Sequence, residues 1–120
     1  MQWNLNSDRP IYLQLVEIIQ LQIVSGNYLP GDKLPSVRDL AAMAQVNPNT
    51  MQKALSELER MGLLITQRTN GRLVTDDLSV IETHKKELAF SHINSFFTTM
   101  YTLGYHKGEI MSFIQESEVI

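Results

Sequence analysis

Apolar side chains repeat every three to four residues through most of the chain, give way once to a short extended stretch, and then resume the helical period. Ile11, Leu15, Ile18, Ile19 and Ile23 form the first stripe, the spacing of one helix face. Pro10 suits a first helical turn, and Asp8 stands where an N-cap is expected. Gly26-Asn27 ends this helix and Pro30-Gly31-Asp32 makes a turn. A short second helix starts at Ser36, which with Asp39 three residues on forms a capping-box-like pair. Val37, Leu40, Ala41 and Ala44 supply its inner face, and it stops near Gln45. The third helix has the clearest start, with Asn47 as N-cap and Pro48 as first helical residue. Met51, Ala54, Leu55, Leu58 and Met61 lie on one continuous face, and Gly62 closes the helix.

The period then changes. Leu63–Arg68 and Arg72–Thr75 read as strands, and Asn70-Gly71 between them is a strong hairpin signal. Beyond Asp76-Asp77 a long helix is expected over 78–103, with Gly104 as its break and a last helix over about 106–117. Trp3 and Leu5 alternate with polar residues and predict an extended segment packed against the body. Two helices joined by a tight turn form a helix-turn-helix unit, and a hairpin directly after the second of them is a wing. The expected fold class is therefore mainly α with a small β-hairpin. A winged helix-turn-helix domain spans 1–75, including the extended segment 1–8, and a helical dimerisation tail spans 78–120.

Composition narrows the function. At 43% hydrophobic over 120 residues the chain can build one modest core. There is no cysteine, which excludes disulfides and thiolate zinc sites and fits a cytoplasmic protein. No apolar run approaches a membrane span, and the N-terminus is not a signal peptide, so no membrane partner is expected. The net charge of −3 hides a split. Residues 33–75 carry six basic side chains against three acids, whereas 76–120 carry three lysines against seven acids. A local basic region beside an acidic tail suits a nucleic-acid footprint, although such small numbers also fit chance clustering.

On the third helix, Asn49, Lys53, Ser56 and Arg60 share one face, with Gln52 at its edge, opposite the core stripe. That face is free of acids. Asn49 or Gln52 could read adenine edges, and Lys53 could reach guanine or a phosphate. Arg38, in the first turn of the second helix, is placed to hold a backbone phosphate, and Thr50 to donate to one. Arg68 and Arg72 flank the tip Thr69-Asn70-Gly71, where a wing can lie along or enter the minor groove. Each of these side chains also suits a solvated surface; their joint placement on a winged helix favours double-stranded DNA. The same fold can grip another protein instead, and steep salt dependence would separate the two.

These residues resemble the GntR family of bacterial regulators. The likeness runs from Pro10-Ile11-Tyr12-Leu13-Gln14-Leu15 through Gly26 to Ala41, with Leu34-Pro35-Ser36-Val37-Arg38-Asp39-Leu40-Ala41 at its centre. It continues in Val46-Asn47-Pro48-Asn49-Thr50-Met51-Gln52-Lys53-Ala54-Leu55 and Leu58-Glu59-Arg60-Met61-Gly62-Leu63, covering 10–75. It implies a homodimer on a two-fold symmetric operator, with DNA contacts at Arg38, Asn49, Thr50, Gln52 and a wing of Arg68, Asn70, Gly71 and Arg72. Lys53 joins these contacts through its place on the third helix, and repression is the expected direction of control. Two positions depart from the pattern. Gln45 stands where many helix-turn-helix proteins carry glycine, and Thr69 where the wing often has a first glycine. The short tail resembles the YtrA-like subfamily, which implies a link to ABC transporter genes.

The tail is expected to form the dimer interface through Leu88, Ile93, Phe96, Phe97, Met100, Tyr101, Ile110, Phe113 and Ile114, because two helices alone cannot bury that much apolar surface. Its aromatic residues also leave room for a small-molecule effector, but no charged cluster names its class. His84 and His92 are two turns apart, too far to share one metal ion without a bend. No nucleophile–base pair, phosphate-binding glycine loop or HExxH motif is present. No catalytic residue, metal or cofactor is expected.

Overall fold

The computed structural model describes residues 2–117. The chain divides into two compact units, one running to Lys85 and the other starting at Lys86.

In the first unit, α1 (Ile11–Val24), α2 (Val37–Ala44) and α3 (Pro48–Arg60) precede a hairpin of β1 (Leu64–Gln67) and β2 (Gly71–Val74), and the unit ends in the first turns of α4 (Leu78–Thr102). Leu15, Ile19, Ile23, Leu40, Met51, Leu55, Leu58 and Leu63 are fully buried together. All but Leu63, which was expected to begin a strand, come from the predicted stripes, which face one another because each helix can bury only its apolar side. Trp3 and Leu5 pack against this core as expected, and so do Val80 and Ile81 from the start of α4.

The start of α1 differs from the sequence expectation. Pro10 holds the N-cap position with no side-chain cap bond, and Asp8 does not cap the helix; its own N–H donates to Asn6 Oδ1 at 3.0 Å. The entering chain is fastened by Gln14 instead. The buried Gln14 amide donates to the Asn6 and Arg9 carbonyls, both at 2.8 Å, and accepts from the Asn6 N–H at 2.9 Å. A buried amide is tolerated because these bonds satisfy it. The next two helix starts follow the expected chemistry. Ser36 Oγ accepts from the Asp39 N–H at 3.1 Å, and Asn47 Oδ1 accepts from the Asn49 N–H at 2.8 Å. Between α2 and α3 the backbone turns through Gln45, which sits in the left-handed region at φ 57°, ψ 48°. A side chain there costs about 1 kcal/mol.

The strands pair antiparallel, Leu64 opposite Val74, Ile65 opposite Leu73, Thr66 opposite Arg72 and Gln67 opposite Gly71. The loop is Arg68-Thr69-Asn70, and Gly71 is the first residue of β2 rather than part of the turn. Gly71 has φ +73°, the left-handed residue that lets a three-residue loop close onto paired strands. Residues 31–34 lie along β2 as well: the Gly31 N–H donates to Val74 O at 3.0 Å, the Val74 N–H to Asp32 O at 2.8 Å and the Leu34 N–H to Arg72 O at 3.0 Å.

In the second unit α4 continues to Thr102, Gly104 breaks the chain at φ +99°, and α5 follows as Lys107–Glu116. A capping box opens α5, the His106 N–H donating to Glu109 Oε1 at 3.0 Å. No side chain of α4 is buried along its whole length. No helix among the described residues is long and apolar enough to cross a membrane.

Candidate nucleic-acid interface

The outward face of α3 is set by its own core stripe. With Met51, Ala54, Leu55 and Leu58 buried, Asn49, Gln52, Lys53, Ser56 and Arg60 are left exposed on the other side. Gln52 Nε2 donates to Ser56 Oγ at 3.3 Å, one turn on. Thr50 is half-buried. Lys53 reaches sideways, its ammonium 3.8 Å from the centroid of the Tyr12 ring on α1. Arg60, at the far end, is turned onto Glu57 of its own helix. That pairing raises the guanidinium pKa and lowers the carboxyl pKa, chiefly through the hydrogen bond between them. The N-terminal half of the face therefore keeps its polar side chains free of acids, while the C-terminal end is self-neutralised.

Arg38 is exposed in the first turn of α2 and makes no ion pair among the described residues. Arg68 is likewise exposed at the wing tip, where Asn70 Nδ2 donates to Gln67 Oε1 at 3.0 Å and steadies the loop. Arg72 differs from the sequence expectation of a freely presented wing arginine. Its side chain is 18% exposed and paired with Glu59 of α3, which also accepts from Thr66 Oγ1 at 2.7 Å.

Two side chains that contact the candidate site residues were not singled out in the sequence, Tyr12 and Glu59. The periodicity places Glu59 beside the core stripe, on the Gln52 edge of α3, but only the packed hairpin reveals what it meets. Nothing in the sequence points to Tyr12 as the seat of Lys53.

The tail residues belong to the second unit. Ile93, Phe96, Tyr101, Phe113 and Ile114 are exposed, and Leu88, Phe97 and Met100 are half-buried. Ile110 is the exception to the expected interface set. It is fully buried within its own chain and has no surface left to offer a partner. Phe96 and Phe97 meet edge to face at 5.7 Å, as do Tyr105 and Phe113 at 4.9 Å.

A three-helix core, a capped helix pair joined by a tight turn and a hairpin directly after it define a winged helix-turn-helix, the architecture of a DNA-binding regulator. Residues 11–74 match the model of the bacterial regulatory proteins of the gntR family, and the chain belongs to that family. It is 38% identical over 109 residues to the helix-turn-helix-type transcriptional regulator YhcF of Bacillus subtilis, covering 91% of this chain and 90% of that one. Identity to the transcriptional repressor YtrA of the same organism is 44% over 71 residues, 59% of this chain and 55% of the repressor. A GntR family transcriptional regulator from Listeria monocytogenes superposes with a TM-score of 0.87 at 38% identity, over 95% of this chain and all of that one.

Proposed function

We propose that this regulator is a repressor that binds a two-fold symmetric operator as a homodimer, reading bases with α3 and bracing on the backbone with Arg38 and the wing. The observation that carries the reading is the N-terminal half of α3. Asn49, Gln52 and Lys53 are exposed there without an acid among them, on the helix that follows the tight turn. A recognition helix enters the major groove by that half, where side-chain amides pair with adenine edges and the Lys53 ammonium is within reach of the backbone phosphates. The likeness to the repressor YtrA supports the direction of control. The dimer is supported by α4, which leaves Phe90, Ile93, Phe96 and Tyr101 exposed; a second copy of this helix is the occupant that a symmetric operator calls for.

The test is selection of duplexes from a randomised pool with the full chain, followed by titration against salt. Recovered sites are expected to be inverted repeats, with binding that falls steeply as salt rises. The ABC transporter operon implied by the short tail is the first genomic place to look for the repeat. Selection that returns no shared sequence, or only unpaired half-sites, rejects the reading.

A further inference from the structure

Thr66 and Arg72 stand directly opposite each other across the hairpin, and both side chains end on a single atom, Oε1 of Glu59. The Thr66 hydroxyl donates to it at 2.7 Å and the Arg72 Nε–H donates to the same oxygen. Glu59 belongs to α3, so one carboxylate joins the helix to both strands of the wing. Residues 31–34 support β2 along its inner part, as far as the main-chain bond from the Leu34 N–H to Arg72 O at 3.0 Å, but the wing beyond has little else to hold it. Leu64 and Val74 at its base are buried, but residues 65–71 are exposed. Among the described residues, the two bonds to Glu59 are the only side-chain hydrogen bonds that tie residues 66–72 to another element. Two short strands hold their shape poorly in water without such support.

Burial works against the charge on Glu59, yet the bonds from Thr66 and Arg72 and the attraction of the guanidinium outweigh it, so the carboxyl stays below its ordinary pKa. The acceptor is therefore charged at neutral pH, when charge-assisted bonds are strongest.

We propose that Glu59 is a positioning residue for DNA recognition: its grip on Thr66 and Arg72 fixes the wing against α3, so that Arg68 and the α3 side chains engage one duplex together. The inference rests on the reading above, that α3 and the wing contact DNA. It reassigns Arg72 from a wing contact with DNA to the wing's anchor. It also makes an acid on the recognition helix favourable to binding. A carboxylate that merely lay near DNA would repel phosphate, and its removal would tighten binding.

The sign of the effect decides. Wild type, Glu59→Gln, Arg72→Gln, the double variant and the charge swap Glu59→Arg with Arg72→Glu are titrated with a duplex selected from the randomised pool. Wing mobility is followed by a nitroxide on Thr69→Cys, which is specific because the chain has no cysteine. Glu59→Gln is expected to weaken binding about tenfold and to mobilise the nitroxide. The double variant should be no worse than either single one, as for residues that act as a unit, and the swap should restore most of the affinity. Unchanged or tighter binding by Glu59→Gln, or an unchanged nitroxide spectrum, overturns the proposal. Gln52→Ala and Arg68→Ala are run alongside. If they weaken binding and Glu59→Gln does not, only the positioning role fails; if neither weakens binding, the DNA-contact reading fails and takes this inference with it.

Discussion

Lys53 on α3 lies with its ammonium 3.8 Å above the ring centroid of Tyr12 on α1. The contact holds a long cationic side chain against the body of the domain at the edge of the proposed recognition face. An exposed cation–π contact of this kind stabilises by about 0.5–1 kcal/mol. Tyr12→Leu is expected to preserve folding and to remove that stabilisation, readable as a small loss in denaturant midpoint. The matched Tyr12→Leu, Lys53→Ala double variant should lose no more than the two single effects minus the shared term. Strict additivity of the two substitutions would mean that the contact contributes nothing.

Gln52 and Lys53 should behave differently on DNA. Loss of a base-reading amide in Gln52→Ala relaxes sequence preference, at about 1–3 kcal/mol per good pair. Loss of the Lys53 ammonium weakens all duplexes alike and lowers the salt slope by about one. Competition titrations with the selected duplex and a scrambled one separate the two. Identical selectivity and slope in both variants would remove α3 from the interface.

Gln45 holds a left-handed backbone that glycine adopts without a side-chain penalty. Gln45→Gly relieves about 1 kcal/mol of strain and loses part of it again to the greater freedom of glycine in the unfolded chain. The expected net gain is about 0.5 kcal/mol, a rise in melting temperature of about 2–4 °C. A fall in melting temperature would show that the Gln45 side chain contributes more than its backbone costs.

The exposed apolar face of α4 should carry the dimer. Phe96→Glu places a charge in that face and is expected to weaken self-association by about 2 kcal/mol or more, measured by sedimentation equilibrium. A chain ending at Lys85 keeps Val80 and Ile81 on the core and should stay folded as a monomer. A Phe96→Glu chain that remains dimeric at low micromolar concentration would place the interface elsewhere.

Acid should loosen the wing before it unfolds the domain. The carboxyl of Glu59 is held below its ordinary value in the folded chain, the bonds from Thr66 and Arg72 outweighing the opposing effect of burial. A lowered folded-state pKa gives stability that is fully present above the unfolded value and is lost as pH falls through the folded one. Glu17, bonded to Arg9, behaves in the same sense. The nitroxide on Thr69→Cys is therefore expected to gain mobility below the usual glutamate range, and Glu59→Gln should abolish that pH dependence. A transition unchanged by Glu59→Gln would assign it to another carboxyl.

Much of this architecture is local, and the sequence alone determined it. Asn47-Pro48 and Ser36 start their helices because a short polar side chain meets the free N–H groups of the next turn. The stripe from Met51 to Leu58 names the buried side of α3 and so, by subtraction, the side that faces out. Gly62 and Gly104 end helices because they accept positive φ. Contacts between elements were left to the tertiary structure. It seats Lys53 on Tyr12, turns Arg72 from the wing surface onto Glu59, buries Ile110 within its own chain, and hands the entry of α1 to Gln14 rather than Asp8. A cap or a stripe involves neighbours within one turn, so the period of the chain reveals it. A guanidinium on a hairpin can choose among solvent, phosphate and any carboxylate that packing brings within reach, and that choice exists only once the helix and the wing have been folded side by side.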